Sequence, residues 1–138
     1  MKKTIEELLE CEYWIIDILP YQVPADSDGQ YFTVENYFLT SQRRQISQKH
    51  LNLLLKLNCY RDIALNEEQI NPSPSYLANV IDKLHLNVRI GNALLVSDPD
   101  DTYLTLYNPT RELLRLVKKL AGAEGLFLWQ PASQNNEE

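Results

Sequence analysis

Residues 88–107, VRIGNALLVSDPDDTYLTLY, decide the fold of this chain because they hold three apolar segments separated by two turn sequences. The segments are residues 88–90, 93–96 and 102–107. Their β-branched and aromatic residues favour strands. The glycine-led pair Gly91-Asn92 suits a two-residue hairpin turn, and the composition of residues 97–101 suits another tight turn. The stretch therefore predicts a three-stranded antiparallel meander.

Signals for further elements lie on both sides of the meander. Thr4 and Glu7 form a capping box, and Ser73 precedes Pro74 as a cap precedes a first helical residue. We assign the same roles to Asn108 and Pro109. The predicted helices are residues 4–11, 33–57 with a break near 40–41, 74–84, and 109–121 with Gly122 as the stop. The other predicted strands are residues 13–19, 59–65 and 126–129.

These elements predict an α+β fold. We expect a single domain over residues 1–131 and a flexible polar tail over residues 132–138. The expected sheet is mixed but mostly antiparallel, with about five or six strands and about four helices packed mainly on one face. A chain of 138 residues suits one domain that buries roughly two-thirds of its unfolded surface.

The formal net charge is −6, and the acidic excess lies mostly outside the predicted helices and strands. Acidic loops repel phosphates, so we expect no nucleic-acid partner. No apolar run approaches the roughly 20 residues of a membrane-spanning helix. Glu6, Glu7 and Glu10 interrupt any apolar segment of a signal peptide, so we predict a cytoplasmic protein that does not bind membranes.

Recognisable catalytic and cofactor motifs are absent from the sequence. Four glycines form neither a dinucleotide fingerprint nor a phosphate loop, and there is no nucleophile elbow or zinc-protease motif. Cys11 and Cys59 lie 48 residues apart, which is no zinc spacing. We expect both cysteines to be small buried core residues and His50, on an apolar helix face, to be a core or boundary residue. No cofactor, metal or catalytic residue is predicted.

Asp17 is the first candidate binding residue. In an alternating strand it shares a side with Tyr13, Ile15 and Leu19, where an apolar residue is expected. A carboxylate there must be paired, hydrogen-bonded or neutral. Arg61 and Arg89 are the arginines of predicted strands that could reach it. The set Asp17, Arg61 and Arg89 is either a structural ion pair or a polar pocket that binds a small ligand.

A second candidate surface carries tyrosines and arginines. Tyr103 and Tyr107 alternate with leucines, which makes one face of their strand rich in tyrosine. Tyrosine provides large contact areas at interfaces. Arg111 and Arg115 lie on the outward face of the following helix. These four residues are the candidate partner-binding set, although a helix of the same chain could instead cover the tyrosines.

Two functions remain open from the sequence. The first is a non-enzymatic protein-interaction or regulatory domain, bound to an unknown protein partner or to a second copy as a homodimer. The alternative is a small-ligand-binding protein, or an enzyme of unassigned class, with a polar pocket near Asp17. Whether any reaction is catalysed is left open, with the missing motifs favouring none.

Overall fold

Seven strands and five helices form within residues 2–131, the part of the chain that the computed structural model describes. The predicted tail over residues 132–138 lies outside this part. The helices are α1 (Ile5–Leu8), α2 (Tyr31–Ser41), α3 (Arg43–Tyr60), α4 (Pro74–Val80) and α5 (Arg111–Ala123). The strands are β1 (Tyr13–Asp17), β2 (Ala64–Leu65), β3 (Gln69–Ile70), β4 (Leu86–Ile90), β5 (Ala93–Ser97), β6 (Leu104–Tyr107) and β7 (Phe127–Trp129).

The strands form one sheet in the order β3-β2-β4-β5-β6-β1-β7, and every pairing between them is antiparallel. The predicted meander is β4-β5-β6, and its first turn places Gly91 at a φ of +60°, which glycine adopts without strain. The α+β class with a single sheet of mainly antiparallel strands is thus confirmed, although the described strands include no parallel pair, which the predicted mixed sheet would contain. The sheet has seven strands where five or six were predicted.

One face of the sheet carries the main core. Alternate residues such as Ile16, Leu95 and Leu104 are buried there against helices α3, α4 and α5. The buried side of α3 includes Leu53, Leu54 and Leu57, and that of α5 includes Leu113, Val117 and Ala121. The hydrophobic effect on this face, at about 25 cal/mol per Å² of buried apolar surface, stabilises the domain.

The other face is covered only in part by the described helices. Helix α1 contacts β5, where its fully buried Leu8 and the fully buried Leu94 lie outside the main core cluster. Its capping box is formed as predicted, with Glu7 N–H donating to the Thr4 hydroxyl at 3.1 Å. The portion of this face formed by β6, β1 and β7 carries the candidate site.

Several predicted boundaries were wrong. Residues 59 and 60 continue α3, so the strand predicted over 59–65 shrinks to Ala64–Leu65, and β3 was missed because two residues give no periodic signal. Asn108 does not cap α5. It has a φ of +56°, whereas Thr110 accepts from Leu113 N–H at 3.1 Å and caps the helix.

The end of α5 also differs from the prediction. Gly122 lies inside the helix, and Gly125, with a φ of +77°, follows its last turn. The N–H of Gly125 donates to the carbonyl of Gly122, and that of Leu126 donates to the carbonyl of Ala121. This pair of bonds is a Schellman motif, which requires a left-handed residue and so favours the second glycine.

Candidate functional site

The alternation of side chains along β1 determines which of them lie on the face of the candidate site. Trp14 and Ile16 face the main core, so Tyr13, Ile15 and Asp17 lie on the opposite face. β1 is flanked by β6 on one side and by β7 on the other. Side chains from three adjacent strands therefore meet on this face.

Aromatic rings from the neighbouring strands surround β1. Tyr107 is registered opposite Tyr13, and the centroids of their rings lie 5.5 Å apart. Trp129 is registered opposite Ile15, and its indole N–H donates to the carbonyl oxygen of Leu19 at 3.0 Å. This bond ties the ring of Trp129 to the segment that follows β1.

These side chains line a cleft with a cavity volume of about 570 Å³. Leu9, at the C-terminal end of α1, and Tyr31, the first residue of α2, also line it. We call it the tyrosine cleft. Its lining consists of Leu9, Tyr13, Ile15, Asp17, Leu19, Gln22, Val23, Tyr31, Tyr103, Thr105, Tyr107, Trp129 and Pro131.

Asp17 is the charged residue of this lining, and it is only 6% exposed. Burial raises the pKa of its carboxyl to about 6, although the backbone groups of Ile18 and Leu19 stabilise the charged form. The N–H of Ile18 donates to Oδ1 at 2.7 Å. The negative charge of Glu35, on α2, raises the pKa of Asp17 further. Asp17 is therefore a desolvated carboxyl that can change its charge near neutral pH.

Three tyrosines of the cleft, Tyr31, Tyr103 and Tyr107, have raised pKa values and hold their protons at neutral pH. Burial, followed by the charge of Glu35, raises the pKa of Tyr31 to about 12, and the Tyr31 hydroxyl donates to Glu35 Oε2 at 3.2 Å. Burial likewise raises the pKa values of Tyr103 and Tyr107. The cleft thus presents neutral aromatic rings beside one buried carboxyl.

The described lining of the cleft holds few chemically reactive side chains. Among the described residues that line it there is no histidine, cysteine, serine, lysine or arginine. Within residues 2–131, no group of three or more His, Cys, Asp or Glu side chains could hold a metal ion. A carboxyl with a raised pKa can exchange a proton, but the lining offers it no activated nucleophile.

The structure does not bring the predicted arginines to Asp17. Arg89 lies on β4, three strand spacings or roughly 14 Å across the sheet from β1. It is buried, and its Nε donates to Glu67 at 2.8 Å while Nη2 donates to the carbonyl of Lys3 at 2.6 Å. Arg61 follows α3 and is half-buried. Neither arginine lines the cleft, so the predicted ion pair with Asp17 is not formed.

The predicted partner-binding set is also divided. Tyr103 and Tyr107 line the cleft. Arg111 and Arg115 are exposed on α5, which packs against the opposite face of the sheet. Strand alternation and helix packing therefore separate the two tyrosines from the two arginines. They do not form one surface.

The burial predicted for His50 is confirmed, whereas that predicted for the two cysteines is not. His50 is buried as predicted, and burial lowers its pKa to about 4. Cys11 is half-buried and Cys59 is exposed, so the prediction that both are core residues was wrong. Each lies near the end of a helix, where its thiol bonds a carbonyl of the preceding turn, Glu7 for Cys11 and Leu55 for Cys59.

Sequence reasoning missed the part of the cleft that comes from distant segments. Tyr13 could be found, because it shares the period-two pattern of Asp17. The sequence did not indicate that Tyr31, Glu35 and Trp129 lie near the cleft. Tyr31 and Glu35 lie at the start of α2, which follows an irregular loop, and Trp129 lies on the three-residue edge strand β7. No local pattern relates the positions of these two elements. Their convergence depends on the strand order.

No helix among the described residues combines the length and apolar character needed to cross a bilayer. Comparison of the chain with protein-family models, with curated protein sequences and with solved structures gave no match.

Proposed function

We propose that this protein binds a small ligand and that the tyrosine cleft is its binding site. The observation that carries the proposal is a cavity of about 570 Å³ whose aromatic lining contains one buried carboxyl, that of Asp17. Ligand pockets are typically clefts of about 300–1,000 Å³, lined by apolar and aromatic side chains with few polar groups. The tyrosine cleft has this size and this composition.

The energetics of Asp17 support the same proposal. A carboxyl whose pKa is raised by burial destabilises the folded state at neutral pH, because the charged form is poorly solvated. Ionisable groups with pKa values raised in this way concentrate at functional sites. Asp17 therefore has no role in stabilising the free protein at neutral pH. A ligand that stabilises its charged carboxylate would give this residue a role in binding.

The experiment uses two-dimensional N–H correlation NMR with a library of common metabolites. The two tryptophans give an internal comparison, because Trp129 lines the cleft and Trp14 packs against the core on the other face. A ligand of the cleft is expected to shift the indole N–H signal of Trp129 saturably and to leave that of Trp14 nearly unchanged. If no compound shifts Trp129, or if every active compound shifts both indoles equally, the proposal fails.

A second candidate function is protein interaction, favoured by the surface of α2. None of its eleven residues is buried, and Phe32 and Tyr37 are 79% and 54% exposed. Aromatic side chains in such positions are typical of interfaces. Self-association, in which a second copy of the chain covers this surface, is the form of interaction that the next experiment tests.

Sedimentation equilibrium over a range of protein concentrations tests this second function. Self-association through α2 predicts a dimer that Phe32→Ser weakens, whereas Tyr60→Ser, at an exposed position on α3, leaves it unchanged. A monomer at every concentration, or equal effects of the two substitutions, would contradict it.

A further inference from the structure

We propose that the ligand of the tyrosine cleft is an organic cation, a molecule with an ammonium group on a small apolar body. This inference rests on the proposed ligand-binding function and adds the chemical class of the ligand. It is carried by the charges and the rings that the described residues place around the cleft.

The charged groups that residues 2–131 place around the cleft are negative. Asp17 contributes a carboxyl to a lining in which the described residues include no lysine, arginine or histidine. Glu35 lies close enough to influence Asp17, Tyr31 and Tyr103 electrostatically, and Asp101 acts on Tyr103 in the same way. Several negative groups therefore act on one concave surface. A low-dielectric surface with negative groups attracts cations and repels anions.

The aromatic lining complements a cation in a second way. Five aromatic residues line the cleft: Tyr13, Tyr31, Tyr103, Tyr107 and Trp129. The faces of such rings are negative because of their quadrupoles, and they attract ammonium groups that lie over them. Three of the phenols hold their protons firmly, so these rings are uncharged at neutral pH. An aromatic lining with a nearby carboxylate is suited to a cation that carries methyl or methylene groups.

Other ligand classes fit less well. An anion would meet the Asp17 carboxylate with no cationic side chain in the described lining to balance its charge. A neutral apolar ligand would remove more water from Asp17 without giving the carboxylate a new partner. A cation removes this desolvation penalty, since its charge compensates that of the carboxylate.

Three probes of similar shape test the inference with the wild-type protein. Choline carries a quaternary ammonium, dimethylbutanol replaces its trimethylammonium with a neutral tert-butyl group, and dimethylbutanoate is an anion with the same branched end. Each is titrated at neutral pH and constant ionic strength while the indole N–H signals of Trp129 and Trp14 are followed. We expect choline to shift Trp129 with a Kd roughly tenfold lower than that of the neutral compound.

The outcomes separate this inference from the proposed function. If dimethylbutanol or dimethylbutanoate binds as tightly as choline, the cation inference is overturned, whereas the cleft remains a binding site. If none of the three shifts Trp129, the cation inference is also overturned, and the metabolite library then decides the proposed function alone.

Two matched variants test whether the carboxylate of Asp17 is the charge that binds choline. Asp17→Asn removes the carboxylate from the cleft and is expected to weaken choline binding roughly tenfold while changing dimethylbutanol binding little. Asp82→Asn removes one negative charge from the exposed turn after α4 and is expected to leave both affinities unchanged. Equal loss of choline affinity in both variants would show a general effect of net charge, which would overturn the role of Asp17.

Discussion

Replacing Asp17 with asparagine is expected to stabilise the protein at neutral pH. Asparagine cannot ionise, and its side-chain oxygen can still accept the hydrogen bond that Ile18 N–H donates to Asp17 at 2.7 Å. The substitution therefore removes a buried charge and keeps the hydrogen bond from Ile18. If the charged carboxylate of Asp17 stabilised the fold, its replacement by asparagine would destabilise the protein.

The magnitude follows from the pKa of Asp17. Its ordinary value is 3.8, and burial raises it to about 6 in the folded protein. The folded chain therefore binds more protons than the unfolded chain between these values, so this carboxyl lowers stability as the pH rises from about 4 to about 6. At 1.36 kcal/mol per pKa unit, the destabilisation above pH 6 is about 3 kcal/mol.

Urea denaturation, followed by tryptophan fluorescence between pH 4 and pH 8, measures this effect. At pH 7 the midpoint for Asp17→Asn is expected to exceed that of the wild type by on the order of 1 to 3 M. The difference should shrink towards zero at the acid end, where the wild-type carboxyl is also neutral. Asp82→Asn is the control and is expected to show no such pH-dependent difference. A destabilised Asp17→Asn protein at pH 7, or a difference that does not change with pH, would refute the reasoning.

Three further predictions concern the cap, the buried arginine and the pH dependence of binding. Thr110→Ala is expected to lower the free energy of unfolding by about 1 kcal/mol because it removes the N-cap of α5. An unchanged urea midpoint would show that the Thr110 side chain does not stabilise this helix. Arg89→Ala should lower the free energy of unfolding by about 1–3 kcal/mol, since it breaks the hydrogen bonds to Glu67 and to the carbonyl of Lys3. The Kd for choline should not change, and a higher Kd would connect Arg89 to the site. Choline affinity should increase as the pH rises through about 6, because Asp17 ionises there. NMR titrations at several pH values check this, and a flat profile would contradict it.

Local patterns in the sequence were sufficient for much of the fold. The meander was predictable because β-branched and aromatic segments alternate with turn residues, and the break between α2 and α3 falls at residue 42, beside the predicted position. The cap at Ser73 was also correct, with Tyr76 N–H donating to its hydroxyl at 3.1 Å. These features depend on neighbours in sequence, which a local pattern records.

The cap of α5 shows where local patterns fail. Asn108 and Thr110 are both good cap residues, and the choice between them depends on how the chain leaves β6. Asn108 N–H donates to the carbonyl of Glu12, and its side chain donates to the carbonyl of Asn92. These long-range bonds hold Asn108 in a left-handed conformation, so Thr110 becomes the cap. Only the tertiary structure contains that information.

The candidate site was predictable in the same partial way. The alternation along β1 identified Asp17 as a carboxyl on an apolar side, and the alternation along the predicted strand 102–107 identified Tyr103 and Tyr107. That the two strands are neighbours in the sheet could not be derived, because many strand orders fit the same segments. The strand order joins Asp17 to the tyrosines and separates it from Arg89.

An NMR titration of the Asp17 side-chain carboxyl, with and without saturating choline, tests both the burial of this group and its role in binding. We expect a pKa of about 6 in the free protein. We expect a lower pKa in the presence of choline, because a bound cation stabilises the carboxylate. A pKa near 3.8 in the free protein would contradict the burial of Asp17 in the cleft. A raised pKa that choline leaves unchanged would contradict the proposal that this carboxylate binds the cation.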